Sequence, residues 1–192
     1  MKYSDIYRLY STSQPKDAIH QALREVPVDD SDEQYEDRSP LHLACQYGDT
    51  EGVKILLERD AEPNTKDANG STPIHILGRT SAGCADEDKL KEIAVMLIEQ
   101  GANIPRSAKN TTALIECIRN RHFKMAEAII DSGARVNSTD LNGENVLFGF
   151  CAASGDIRRD IRFAKKELDE SVQYSYPENK IEEIRSRIAR LE

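Results

Sequence analysis

Long apolar runs are missing from this chain. None of its 192 residues lies in a stretch approaching the roughly 18 to 20 apolar residues that cross a bilayer, so no spanning helix is expected. The start, MKYSDIYRLYSTSQPKD, is polar and lacks the apolar segment that heads a secretory signal. Cysteine is scarce and scattered: Cys45, Cys84, Cys117 and Cys151 form no CxxC pair, which argues against a disulfide framework or a zinc site. Three of the four sit in apolar helical settings and read as small buried thiols of a reducing compartment, so a cytoplasmic location is expected. There is no HExxH, no histidine pair four apart and no Cys/His cluster, so no metal is expected. The glycines are isolated, which leaves no phosphate cradle and no cofactor to expect.

Positive charge is also short. The net charge is −8, and residues 1–105 alone hold 11 Lys+Arg against 20 Asp+Glu, or −9. Such a chain repels phosphate backbones, so nucleic acid is not an expected ligand. Acid concentrates in DDSDEQYED, Asp29 to Asp37, which reads as a solvated loop or as an electrostatic lure for a basic partner. Hydrophobic residues at 39% and charged residues at 31% suit a soluble protein with a thin core.

What the chain does have is a repeated phrase. RSPLHLA at Arg38–Ala44 returns as GSTPIHIL at Gly70–Leu77, and Leu41, Ile74, Leu114 and Leu147 are spaced 33, 40 and 33 residues apart. Each opens an apolar segment, each is followed by a second one, and polar turns (TKDANG, PRSAKN, STDLNG) close the units. Ser39-Pro40 and Thr72-Pro73 set a capping hydroxyl before a proline at the first helical position. Gly48, Gly101 and Gly133 are placed to end helices in the left-handed region, with Asp60 standing where a glycine would otherwise be. Val53, Leu56 and Leu57 share one face of the second helix.

SPLHLACQYGDTEGVKILLERDAEPNTKDANG resembles an ankyrin repeat, following its TPLHLAA, LL and GADVN elements nearly in order. The resemblance implies an all-α solenoid of about five stacked helix-turn-helix units: full repeats at 38–70, 71–110 and 111–143, a degenerate capping unit at 5–37 and a degenerate terminal unit at 144–172. A stack over residues 1–175 would then precede a C-terminal segment, 176–192. Departures are local. About seven extra residues fall within GRTSAGCADEDKL, TALI replaces TPLH, Arg121 stands where the family keeps glycine, and Phe148 takes a histidine's place. A lone unit cannot bury its apolar face, so neighbours must stack and the end units need a polar outer side.

The last segment, ENKIEEIRSRIARLE, sets Ile181, Ile184, Ile188 and Leu191 on an a/d seam. Under two heptads of seam favour an intramolecular cap over a coiled coil, and hence a monomer slightly over a homodimer.

No residue constellation supports catalysis. The resemblance implies that His42 and His75 are structural ties between a capping hydroxyl and the neighbouring turn. Cys84 lies in acidic surroundings that oppose thiolate formation. Asp86, Glu87 and Asp88 read as a carboxylate triplet for solubility or capping, with Asp86 or Asp88 placed to cap KLKEIAVMLIEQ.

The resemblance implies partner contact on the concave side, from hairpin tips and first helices. Aligned positions are Tyr35, Glu36, Arg38, Gln46 and Tyr47, then Ala68, Asn69, Ser71, Arg79 and Thr80. Lys109, Arg119, Asn120, Leu141 and Asn142 follow in later units. Tyr35, Tyr47, Arg79 and Arg119 would form a row across the units, rich in residue types favoured at hot spots. The reading is therefore a non-enzymatic protein-binding module, one version being an inhibitor or immunity-type protein that masks a basic partner. Alternatives are a homo-oligomeric scaffold joined through residues 178–192, and an enzyme or ligand-binding protein using the 78–90 insertion.

Overall fold

The computed structural model describes residues 1–80, 86–103, 112–134, 164–166, 168–169 and 178–191. The chain forms two compact units, Met1–Ser132 and Gly133–Glu192. The described residues are helical and contain no strand, in line with the all-α solenoid that the repeats imply.

In the first unit, helices come in pairs: α1 (Tyr3–Ser11) with α2 (Lys16–Glu25), α3 (Pro40–Gln46) with α4 (Thr50–Leu57), α5 (Pro73–Gly78) with α6 (Glu87–Glu99), and α7 (Ala113–Arg119) with α8 (Phe123–Asp131). First helices pack on first helices, α1 on α3 on α5 on α7, and second helices on second helices, α2 on α4 on α6 on α8. Among the described residues each pair packs mainly on its neighbours, the arrangement of a repeat solenoid.

The core lies between these two rows. Leu41, Leu43, Val53 and Leu56 are fully buried, as are Ile74, Leu77, Leu90 and Ile93. Each such side chain contributes roughly 1.5–3 kcal/mol, so stacking rather than helix propensity holds these six- to thirteen-residue helices. Val53 and Leu56 face inward as read, but Ile55 joins them and Leu57 is only half-buried.

Turns carry the expected strain. Gly48, Gly101 and Gly133 have φ of 59°, 86° and 97°, and the equivalent Asp60 and Arg121 take φ of 61° and 63° without being glycine. Between α5 and α6 the connection lengthens, and Asp86 accepts a hydrogen bond from Asp88 N to cap α6.

In the second unit, α9 (Glu178–Leu191) buries Ile181, Ile184 and Ile188. Ile184 and Ile188 pack with Ala164, and Leu168 flanks them. The seam read from sequence is thus covered at these positions by the chain itself. The side chain of Leu191, with Phe148, Cys84 and Cys151, lies outside the described residues.

Candidate protein-binding face

Two histidines fix the starts of α3 and α5, and with them the hairpin tips. Ser39 N donates to His42 Nδ1 at 3.1 Å, and Ser39 Oγ lies 2.9 Å from the same nitrogen. His42 Nε2 donates to the Ser71 carbonyl at 3.0 Å, which ties one unit to the next and sets the tautomer. Burial holds His42 down at about 4, with the Ser71 bond opposing. His75 repeats the local part, with Nδ1 2.9 Å from Thr72 Oγ1.

Further links join neighbouring units. Asp49 occupies the N-cap of α4, yet its carboxylate turns to the preceding pair. It accepts from Tyr10 Oη at 2.8 Å and from His20 Nε2 at 3.0 Å. Burial, then the Asp49 carboxylate, raises the Tyr10 phenol. A Cβ on Gly52 would stand 2.7 Å from Asp49 Oδ2, so this glycine makes room for the cluster. His122 Nε2 donates to the Thr80 carbonyl at 2.6 Å, and Asn64 binds Gly101 O and Asn103 N across successive loops. Glu87 accepts from Phe123 N and Lys124 N, so a carboxylate of α6 caps α8. Lys124 bonds Asp88 at 2.7 Å, which raises its ammonium. The carboxylate triplet of the insertion is thereby used in caps and an ion pair.

The positions expected to meet a partner are mostly engaged with one another. Arg38 donates to Gln46 Oε1 at 2.8 Å and to Glu36, and its Nε lies 3.6 Å from Asp67 Oδ2. One repeat later, Arg79 donates to Ser71 Oγ at 3.0 Å and reaches Glu116 Oε1 at 3.1 Å. Positions 38 and 46 therefore pair as 71 and 79 do, with donor and acceptor exchanged. Tyr47 stacks on Tyr10 at 4.8 Å and 12°, and Tyr35 sits against Tyr7 at 4.2 Å.

Two of the positions face inward. Ser71 is fully buried, held through its backbone by His42 and Asp67, and Thr80 is buried with its hydroxyl near the Cys45 and Gln46 carbonyls. Both serve the unit junction rather than an open surface. Glu36, Ala68 and Arg119 are exposed, and Tyr35, Arg38, Gln46, Tyr47, Asn69, Arg79 and Asn120 are half-buried. Asn120 donates to Gly78 O at 3.0 Å. Lys109, Leu141 and Asn142 lie outside the described residues.

Among the described residues no cluster of His, Cys, Asp or Glu is arranged to hold a metal ion, and no helix is long and apolar enough to cross a membrane. Cys45 and Cys117 are fully buried, and burial raises both thiols away from reactivity.

Residues 22–77 match the family described as ankyrin repeats in many copies. The chain carries ankyrin repeats. It is 38% identical over 69 residues to a "Transient receptor potential cation channel subfamily A member 1 homolog" of Caenorhabditis elegans, covering 36% of this chain and 6% of that protein. It is 31% identical over 134 residues to "Neurogenic locus notch homolog protein 1" of Mus musculus (69% and 5%). With "Ankyrin repeat protein nuc-2" of Neurospora crassa it shares 29% over 124 residues (64% and 10%). The chain thus spans a tenth or less of the length of these relatives. Ankyrin repeats are generally protein–protein interaction modules and typically lack enzymatic activity.

The family resemblance pointed to the histidine ties: His42 makes both halves, and His75 makes the capping half. Sequence reasoning missed Asp49, Glu87, Asn64 and the role of His122, whose partners lie 29 to 42 residues away. The signal at Glu87 was present, as a carboxylate just after a helix cap, but nothing local says which helix it caps.

Proposed function

We propose that this chain is a non-catalytic module that binds a partner protein through the concave side of its ankyrin stack. The observation that carries the reading is the repeated pairing of positions 38 with 46 and 71 with 79. These half-buried arginines are held before any partner arrives, so little side-chain entropy is lost on binding. Exposed Ala68 and half-buried Asn69 stand at the hairpin tip beside them. In the more specific version the partner surface is basic, as the −9 of residues 1–105 suggests, and binding masks it in the manner of an inhibitor.

The test is affinity capture of the tagged chain from its own host at low and moderate salt, beside Ala68→Arg. That residue is exposed, so a bulky cation there leaves packing intact and obstructs the face. One protein captured by the wild type and lost by the variant supports the face. Equal capture by both moves the contact elsewhere, and capture indifferent to salt sinks the electrostatic version.

A further inference from the structure

Among the described residues of the first unit, Tyr3 Oη and Thr50 Oγ1 are hydroxyls buried without a hydrogen-bond partner. Tyr3 is 1% exposed, and its hydroxyl is buried with no hydrogen-bond partner. Leaving such a group unsatisfied is costly, and phenylalanine would fill the same space without the cost. Burial raises the phenol above its usual range, and the groups that then act on its oxygen are Arg38, Tyr7, Asp32 and Tyr35. The ring itself packs near Tyr35, whose short helix Asp32 caps at the acidic hairpin tip.

Aromatic rings frame the same place. Tyr35 lies between Tyr3, at 5.7 Å, and Tyr7, at 4.2 Å, and both Tyr7 and Tyr35 are half-exposed. Arg38 is already balanced by Glu36 and Asp67. Among the described residues, no lysine or arginine pairs with Asp32 or Glu33, and Glu33 is exposed.

We infer that Tyr3, Tyr7 and Tyr35, together with Asp32 and Glu33, receive a cationic side chain from a lysine- or arginine-bearing segment of a partner protein. Ring faces attract cations, the two carboxylates neutralise the charge, and the Tyr3 oxygen is left to accept an N–H from the bound side chain. An anionic ligand is repelled by the six carboxylates between Asp29 and Asp37. The inference rests on the protein-binding reading and gives the partner's chemistry at one end of the stack.

The test uses the full chain with ring-labelled tyrosine and a capped octapeptide carrying two lysines, followed by nuclear magnetic resonance. A matched peptide with glutamate in place of lysine is the control. Expected are saturable shifts of the Tyr7 and Tyr35 rings with the lysine peptide alone, weakened by salt. Tyr3→Phe should keep or raise thermal stability while binding falls about tenfold, the scale of a hydrogen bond lost to a cation. Tyr7→Leu should weaken binding as well. No saturable shift, equal shifts with the glutamate peptide, or full-strength binding by a folded Tyr3→Phe each overturns the inference. If the host partner is captured and then lost with Ala68→Arg while the lysine peptide leaves Tyr7 and Tyr35 unmoved, this inference fails and the concave-face reading stands. Lysine-peptide binding that vanishes in Tyr3→Phe, with capture unaffected by Ala68→Arg, does the reverse.

Discussion

Asp49→Ala should detach the first helix pair from the stack without unfolding the later repeats. The carboxylate is almost wholly buried and serves two donors, Tyr10 Oη at 2.8 Å and His20 Nε2 at 3.0 Å. Alanine leaves both donors unpartnered in positions that water reaches poorly. Each costs about 1–3 kcal/mol, so the junction loses on the order of 3–5 kcal/mol. That is comparable with the whole stability of a small domain, but in a repeat stack it falls mainly on the interface where the contact sits.

Native-state hydrogen exchange reads this directly. Amides of α1 and α2 should lose protection by two to three orders of magnitude, while those of α5 and α7 change little. Tyr10→Phe is the control, since it removes one donor cleanly and leaves His20 on the carboxylate, for about 1 kcal/mol. A loss under about 1 kcal/mol in Asp49→Ala, or a loss spread evenly over all helices, would refute the argument. The first outcome would mean that water replaces the carboxylate, and the second that the stack unfolds as one cooperative body.

Three other outcomes follow from the same geometry. Gly52→Ala puts a methyl 2.7 Å from Asp49 Oδ2 and 2.9 Å from Tyr10 Oη, so it should destabilise by about 1–3 kcal/mol in urea titration. Glu87→Ala removes the acceptor for Phe123 N and Lys124 N and should cost about 0.5–2 kcal/mol, seen as faster exchange at the start of α8 alone. His42 is held at about 4 while an unfolded histidine titrates near 6.5, so the unfolded chain binds the extra proton between those values. Its contribution is complete above pH 6.5 and is lost as pH falls toward 4, by roughly 3 kcal/mol at most. Urea midpoints at pH 7 and 4.5 should therefore fall further in the wild type than in His42→Gln.

Much of the fold was legible because the repeat writes it several times over. Ser39-Pro40 and Thr72-Pro73 announce helix starts, and φ is positive at Gly48, Gly101 and Gly133 as their positions demand. The candidate face was legible only as positions. That Arg38 would bond Gln46, and Arg79 both Ser71 and Glu116, depends on which long side chain reaches which neighbour. Periodicity fixes where a residue stands and leaves open how far it extends. Ser71 and Thr80 show the reverse error, since alignment placed them at variable positions while the unit junction buries them.

The polar links also explain how a drifting repeat keeps its register. Where TALI replaces TPLH, the histidine tie is gone and Thr112 Oγ1 alone accepts from Ile115 N. On the other side of α7, the junction with the preceding unit is held by His122 to Thr80 O, Asn120 to Gly78 O, and Glu87 to the start of α8. These bonds come from positions that the repeated phrase does not use. Each fixes the same relation between neighbouring helix pairs, which is the only relation a solenoid must preserve. Sequence drift within a unit is tolerated so long as some polar group still reaches the unit beside it. Residues that the junctions do not use are then free to meet a partner, and Tyr7, Tyr35, Asp32 and Glu33 are the ones proposed to do so beside Tyr3.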